Sequence, residues 1–228
     1  MSIQQSNESS AAGMKMLKVM VGIGTLCALL IVLAFEGTLP RIEKLKAEAL
    51  EQAVFKVLPG AMTKETFRLD ENNTFSEVGN DVREGQLVYA GFDADHHLVG
   101  VAVEARGIGF ADVVHVLYGY DPAKEAIVGF YVLESKETPG LGDKIESDPG
   151  FLANFQSLDV STDPEKGALK NSVVTVKHGQ KKNAWEIDGI TGATISSRAV
   201  GNILGPSTAH WIPLIHQNVS TFMKQEEH

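Results

Sequence analysis

The chain has 228 residues, 43% hydrophobic and 21% charged, which is the mix of an ordinary globular protein of one or two domains. That composition excludes a wholly disordered chain and a polytopic membrane protein. With 29 acidic and 20 basic residues the formal charge is -9, which argues against nucleic acid as a partner, because neutralising phosphates takes a basic face. The single cysteine, Cys27, excludes an intrachain disulfide framework, a CxxC redox pair, a cysteine-ligated iron–sulfur cluster and a CxxCH haem site, so any redox chemistry needs another cofactor.

Residues 1–14 are polar and Ser-rich and are expected to form a disordered cytoplasmic tail. The run VMVGIGTLCALLIVLAF, Val19 to Phe35, carries no charge and reaches the short end of what spans a bilayer core. A cleaved signal peptide wants small residues before the cut, and Ala34-Phe35-Glu36 does not supply them. A lipoprotein signal wants a small residue before the cysteine, and Leu26 stands there. A buried core helix is rarely charge-free for so long. The reading left is an uncleaved single-span anchor over 15–36. The short tail, with Lys15 and Lys18 beside the span, puts the bulk of the chain outside the cytoplasm, in the periplasm of a Gram-negative cell. Arg41, Lys44 and Lys46 on the other flank keep the basic count alone from deciding this.

A helical stalk over 37–60 follows. Ile42, Leu45, Ala49, Ala53 and Val57 recur at helical spacing, as a stripe that docks on a domain, and Pro59-Gly60 stops it. The segment from Met62 to Glu84 is polar, with a turn expected at Asn72-Asn73. Four strands are then predicted: Leu87–Phe92, Leu98–Glu104, Val113–Tyr120 and Ala126–Leu133. The intervals between them are too short for helices, so neighbours should pair antiparallel. Pro149–Gln156 reads as a short helix and Ser172–Lys177 as a later strand. Ser197–Leu204 reads as a helix ended by Gly205-Pro206, and Ala209–Met223 as a last helix disturbed by Pro213. The fold class is α+β: one antiparallel-sheet domain over 61–228 with flanking helices, behind one transmembrane helix.

Two segments carry candidate chemistry. In Glu137-Thr138-Pro139-Gly140-Leu141-Gly142, Pro139-Gly140 suits the centre of a type II turn. The segment is either a plain strand-to-helix loop or a backbone loop pressed against a flat ligand, since glycines allow close approach. In Asp188-Gly189-Ile190-Thr191-Gly192-Ala193-Thr194-Ile195-Ser196-Ser197, small residues crowd a strand-to-helix turn and hydroxyls cluster at the helix start. Capping by Ser196 or Ser197 explains one hydroxyl. A helix start also offers free amides and a positive dipole end to a phosphate. No Gly-Lys-Ser/Thr follows, so this is not a Walker loop, and it is not GxGxxG.

Asp188-x-x-Thr-Gly-Ala-Thr194 resembles the flavinylation motif of the FMN-binding domain family shared by RnfG (RsxG) and NqrC subunits of ion-translocating complexes. The Glu-Thr-Pro-Gly-Leu-Gly segment and the stalk ending Val57-Leu58-Pro59-Gly60 behind a single span match that family too. Ile195-Ser196-Ser197-Arg198 is closer to RnfG than to NqrC, which tends to read SGATLTS. The resemblance implies FMN covalently attached by a phosphoester to Thr194. It also implies that Thr191, Gly192, Ala193, Ser196 and Ser197 surround the phosphate. Glu137, Thr138, Gly140 and Leu141 would then line the cofactor. Asp188 either fixes the motif turn or is read by the flavin transferase. It implies an FMN-binding domain that relays electrons within an Rnf-type ferredoxin:NAD oxidoreductase coupled to ion translocation, without binding NAD or ferredoxin itself. The implied partners are the other Rnf subunits, the flavin transferase during maturation and membrane lipid. The implied location is the inner membrane.

Lys136, Lys144 and Arg198 are either flavin-facing or plain solvated charges, and Trp185 is either a flavin edge or a core residue. The seven histidines read as surface residues, His96-His97 in a hairpin turn, and none has metal-ligand spacing. Glu134 and Glu137 do not form an acid–base pair. Three rival functions stay open: an NqrC-type subunit of a sodium-pumping NADH:quinone reductase, a cofactor-free anchored binding or scaffold protein, and a free-standing flavin reductase.

Overall fold

The structure is a computed structural model that describes residues 2–80, 82 and 84–223, with side chains from Gly13 onward. Met1 and 224–228, the outer ends of the expected tail and domain, lie outside the described residues. The chain falls into two units, Met1–Glu48 and Ala49–His228.

Helix α1, Ser2–Val57, runs unbroken through the segments read as tail, span and stalk. The tail residues from Ser2 therefore belong to a helix. Pro40 lies inside it, and the Thr38 hydroxyl bonds back to the Ala34 and Phe35 carbonyls at 2.9 and 3.1 Å. Its apolar stretch is exposed all round, from Met14 to Phe35. Among the described residues it is the one helix long and apolar enough to cross a membrane.

The second unit is built on a seven-stranded antiparallel sheet of order β2-β1-β3-β4-β5-β6-β7. Its members are β1 Thr63–Leu69, β2 Phe75–Val78, β3 Gln86–Phe92, β4 Leu98–Ile108, β5 Val113–Asp121, β6 Ala126–Glu134 and the two-residue β7 Leu158–Asp159. The four expected strands are β3 to β6, paired antiparallel as expected. The hairpin β1–β2 lies in the polar 62–84 segment, where no strand was expected. It turns at Asn73, as expected there, with φ +60°. Only Phe67, Leu69 and Phe75 face the core from this hairpin, and three apolar residues among charges leave no strong alternation to read.

The two faces of the sheet are filled differently. Val88, Ala90, Val101, Val103, Val116 and Tyr118 point to the main core, while Tyr89, Ala102 and Leu117, which alternate with them along the strands, point to the end of α1. There Ala53, Val54, Val57 and Leu58 are fully buried. The expected stripe thus docks only through its last two turns, since Ile42 and Leu45 are exposed.

The main core is closed by helix α3, Thr194–Gln217, whose Val200, Ile203, Leu204, Ile212 and Ile215 are buried. The structure corrects the expected break at Gly205-Pro206: one helix replaces the two predicted. Pro206 and Pro213 each remove one N–H, and the Thr208 hydroxyl bonds the Leu204 and Gly205 carbonyls at 2.7 and 3.1 Å. A proline inside a helix costs about 3 kcal/mol, and burying five branched side chains at about 1.5–3 kcal/mol each outweighs it.

Short elements fill the 142–188 stretch. A 3-10 segment, Gly142–Glu146, precedes α2, Pro149–Ala153, which Asp148 caps by accepting the Phe151 N–H at 2.9 Å. A 3-10 turn, Asn154–Gln156, extends α2 over the expected helix range. The hairpin β8 Thr162–Asp163 with β9 Ala168–Leu169 follows. The expected strand at 172–177 shrinks to β10, Val174–Val176, which pairs parallel, not antiparallel, with β11, Glu186–Asp188. Two reversals, at Lys177–Gln180 and Asn183–Glu186, restore the chain direction between them. A last short helix, α4 Val219–Phe222, closes the described chain and buries Phe222 against Phe67 and Phe75.

Candidate functional site

The two motif segments meet at one end of the sheet. The 137–142 loop leaves β6 and makes the expected turn: Leu141 N–H donates to the Thr138 carbonyl at 3.1 Å, and Gly140 takes φ +76°. Lys136, Thr138, Pro139, Gly140 and Leu141 are exposed, but Glu137 between them is buried. Its Oε1 accepts the Phe110 and Ala111 N–H groups at 2.6 and 3.0 Å, from the β4–β5 connection. Its Oε2 accepts the Ser196 hydroxyl at 2.5 Å, from the first turn of α3.

The 188–197 segment forms a second glycine turn before α3. Ala193 N–H donates to the Ile190 carbonyl at 3.1 Å, with Gly192 at φ +85°. The expectation that Ser196 or Ser197 caps the helix is overturned: Ala193 occupies the N-cap, and no side chain caps it. Ser196 is committed to Glu137. Ser197, fully buried, accepts the Ile190 N–H at 3.0 Å and donates to the Ala193 carbonyl at 2.8 Å, which staples the turn onto the helix. The first-turn amides of α3 therefore keep their donors for something else. Thr194 opens the helix, exposed, with Thr191 and Gly192 also exposed and Ala193 buried beneath them.

Asp188 is bonded to segments other than the 191–194 turn. Its Oδ1 accepts the Gly179 N–H at 2.7 Å, and Oδ2 lies 3.4 Å from His178 Nδ1. Its backbone is gripped on both sides by Asn154: Asp188 N–H donates to Asn154 Oδ1 at 3.0 Å, and Asn154 Nδ2 donates to the Asp188 carbonyl at 3.1 Å. Lys181 Nζ also reaches Asn154 Oδ1, at 3.0 Å. Of the other candidates, Lys136 pairs with Asp112 at 2.6 Å on the outside of the β4–β5 connection. The contact with Lys136 draws the Asp112 carboxyl below its usual range and raises the Lys136 ammonium. Arg198 is exposed, and Lys144 and Trp185 are half-buried.

Three features escaped the sequence reading. Asn154 is one, a buried amide whose neighbours in sequence say nothing of Asp188. The second is a set of exposed apolar side chains, Ile108, Phe110, Leu141 and Ile195, on the segments that meet at Glu137. Gly107-Ile108-Gly109-Phe110 was legible as a glycine-flanked apolar tip, but only the fold places it beside the motif. The third is His115, read as a surface residue. It is half-buried on β5, with Nε2 2.8 Å from Glu104 Oε2, while the Tyr89 hydroxyl donates to Glu104 Oε1 at 2.7 Å. Burial alone would push the Glu104 carboxyl up. The hydrogen bonds from His115 and Tyr89 and the charges of His115 and Arg106 outweigh it and hold the group below the usual carboxylate range.

A family model described as the FMN-binding domain matches residues 109–205, from the β4–β5 connection to the middle of α3. The G subunit of the Methanosarcina acetivorans ion-translocating oxidoreductase complex is 33% identical, over 83% of this chain and 89% of its own length. The G subunit of the Acetobacterium woodii Na(+)-translocating ferredoxin:NAD(+) oxidoreductase complex is 32% identical, over 78% of this chain and 79% of its own. Among solved structures, Shewanella oneidensis NqrC has a TM-score of 0.55 at 20% identity, covering 78% of this chain and 96% of that one. The C subunit of the Parabacteroides distasonis Na(+)-translocating NADH-quinone reductase has a TM-score of 0.60 at 19% identity, covering 82% and 98%. These two share the fold.

Fold and match together define an FMN-binding-domain protein behind an apolar N-terminal helix. The residues present fit such a group: uncapped amides at a helix start suit a phosphate, and exposed apolar side chains on adjoining segments suit a flat ring. Within that class, the chain belongs to the RnfG family of ion-translocating oxidoreductase complex subunits.

Proposed function

We propose that this chain is the electron-transfer subunit of an Rnf-type ferredoxin:NAD oxidoreductase complex, with FMN joined to the Thr194 hydroxyl through its phosphate. The observation that carries this reading is the exposed Thr194 at the uncapped start of α3, inside the stretch matched by the FMN-binding family. The flavin supplies redox chemistry that no side chain here can perform, taking and passing electrons.

The residues divide the remaining work. Thr194 Oγ forms the new P–O bond. Joining an alcohol to a phosphate by loss of water is uphill in water, so the donor must be an activated flavin phosphoanhydride. Its anhydride P–O bond breaks, the leaving phosphate keeps the electron pair, and the hydroxyl proton goes to solvent. The first-turn amides, with the positive end of α3, stabilise the single charge left on the diester. Gly192 and Ala193 leave room around it. Leu141, Phe110 and Ile195 offer the ring an apolar wall, with Thr138 and the backbone around Gly140 as polar neighbours. Asp188 acts through the 177–180 turn; its carboxylate, 25% exposed, also remains within reach of a flavin transferase.

The apolar helix 15–36 anchors the chain in the inner membrane, 37–60 links it, and 61–228 carries the flavin on the extracytoplasmic side. A covalent tether suits that side, where no free flavin pool replaces a lost cofactor. The other members of the complex supply the electron donor and acceptor.

The test is expression of the full chain with a flavin transferase, followed by denaturing electrophoresis. The expected result is ultraviolet-excited flavin fluorescence in the band and an FMN-sized mass on the peptide holding Thr194, both lost in Thr194→Ala. A dark band in exported protein would overturn the reading and favour an anchored binding domain.

A further inference from the structure

We propose that Glu137 is a positioning residue that pre-assembles the attachment site before any flavin arrives, and does not itself contact the cofactor. This rests on the reading of Thr194 as the flavin-bearing residue. Glu137 is 5% exposed in a loop whose flanking residues are open to solvent, so its side chain turns inward, away from any ligand on the surface. A buried carboxylate is costly unless its oxygens are satisfied. Here they are, by donors from two other segments: the Phe110 and Ala111 amides and the Ser196 hydroxyl.

The backbone is shaped to admit this carboxylate. A Cβ at Gly109 would collide with Glu137 Oε1, and a Cβ at Gly142 would collide with Oε2 and lie 2.7 Å from Ser196 Oγ. Both glycines have φ outside the left-handed region, so it is space, not backbone freedom, that calls for glycine at these two positions.

The consequence falls on Thr194. Ser196 is two residues beyond it, in the same helical turn. Serine or aspartate at the N-cap ordinarily pins a helix start, and α3 has neither. The start of α3 is pinned instead from two directions: by Ser197 to its own preceding turn, and by Glu137, across the domain, to the β4–β5 tip that carries Phe110. One carboxylate therefore sets where the acceptor hydroxyl stands relative to the apolar tip. A misplacement of about 1 Å costs a bond-forming step up to roughly a hundredfold.

The test uses the full chain with Glu137→Ala, Glu137→Gln and Ser196→Ala. Amide hydrogen exchange is followed in a Thr194→Ala background, and the initial rate of covalent flavin incorporation, with limiting transferase, in the Thr194 chain. In Glu137→Ala, exchange should accelerate at 109–112 and 190–197 but not across β3 to β6, and incorporation should slow roughly ten- to a hundredfold. Glutamine can accept both amides at its oxygen and offer its NH2 to Ser196, so Glu137→Gln should restore the rate to within about twofold. If Glu137→Ala does not fold, Ser196→Ala decides on the same two readouts, with a smaller slowing. Unchanged exchange at the two segments or unchanged incorporation in a folded variant would overturn the proposal. If the Thr194 chain itself takes no flavin, the attachment reading fails, and the exchange pattern still decides whether Glu137 holds the two segments together.

Discussion

Two regions of the domain both depend on glycines, yet the glycines do opposite things. On one face the end of α1 sits on a floor of four glycines, paired across the strands as Gly91 with Gly100 and Gly119 with Gly129. A Cβ at Gly119 or Gly129 would strike the Val57 backbone, and one at Gly91 or Gly100 would press on Leu58 at 2.7 and 2.9 Å. Ala53, Val54, Val57 and Leu58 are fully buried there, and each buried methyl adds to stability. At the opposite end of the domain, Gly109 and Gly142 make room for a carboxylate instead. Little apolar surface is buried by that arrangement. What it supplies is a fixed relation between three segments. One region stabilises the fold, and the other commits a buried charge to geometry.

Substitutions on each side test whether the two regions are truly separate. The largest effect is expected for Leu58→Ala, fully buried over the glycine floor: a loss of about 2–5 kcal/mol in chemical denaturation, with Thr194 still taking flavin in the folded fraction. If incorporation fell in step with stability, the two regions would not be separable. Gly129→Ala comes next, at about 1–3 kcal/mol, because the group in its way is backbone that cannot turn aside.

Glu104→Gln is smaller and depends on pH. Its folded carboxyl is held below the ordinary value of 4.5, so its contribution to stability is complete above that value. It fades as the pH falls below 4.5 through the lowered folded value. Wild type and Glu104→Gln should therefore differ most in unfolding midpoint above pH 4.5 and converge in more acid solution. A difference that grows towards acid would refute the assignment of His115 and Tyr89 as the groups that hold this carboxylate. The smallest effect is expected for Lys136→Ala, which removes an exposed pair with Asp112 and should leave the midpoint unmoved. A clear loss there would mean that the β4–β5 tip is held from outside as well as by Glu137.

Much of this architecture was legible in the residues themselves. The apolar run, the four central strands and the turns at Pro139-Gly140 and Asn72-Asn73 each depend on neighbours along the chain, through hydrophobic period or the φ a glycine allows. The 188–197 segment stood out because small residues and hydroxyls crowd a helix start, and the motif resemblance singled out Thr194 within it. The misses share a cause too. The β1–β2 hairpin has few apolar residues because it contributes only three to the core. Helix α3 passes through Gly205-Pro206 because its buried face outweighs two lost hydrogen bonds.

Local pattern and motif resemblance were enough for the long apolar helix, the α+β class and the family, whereas the helix expected from Ser197 starts three residues earlier, at Thr194. They were not enough for what the motif residues do there, which depends on contacts made across the fold. Ser196 and Ser197 look like caps and serve as ties. Asp188 reads as a brace of its own motif turn, and its carboxylate accepts from Gly179 in the neighbouring 177–180 turn. Glu137 is read from its motif as lining the cofactor, and in the fold it is buried and hydrogen-bonded to Phe110, Ala111 and Ser196. A hydrogen bond between residues 59 positions apart, such as that of Ser196 with Glu137, leaves no trace in the spacing of either. It exists because folding brings two loops together and takes their polar groups out of water, where each must find a partner or remain unsatisfied.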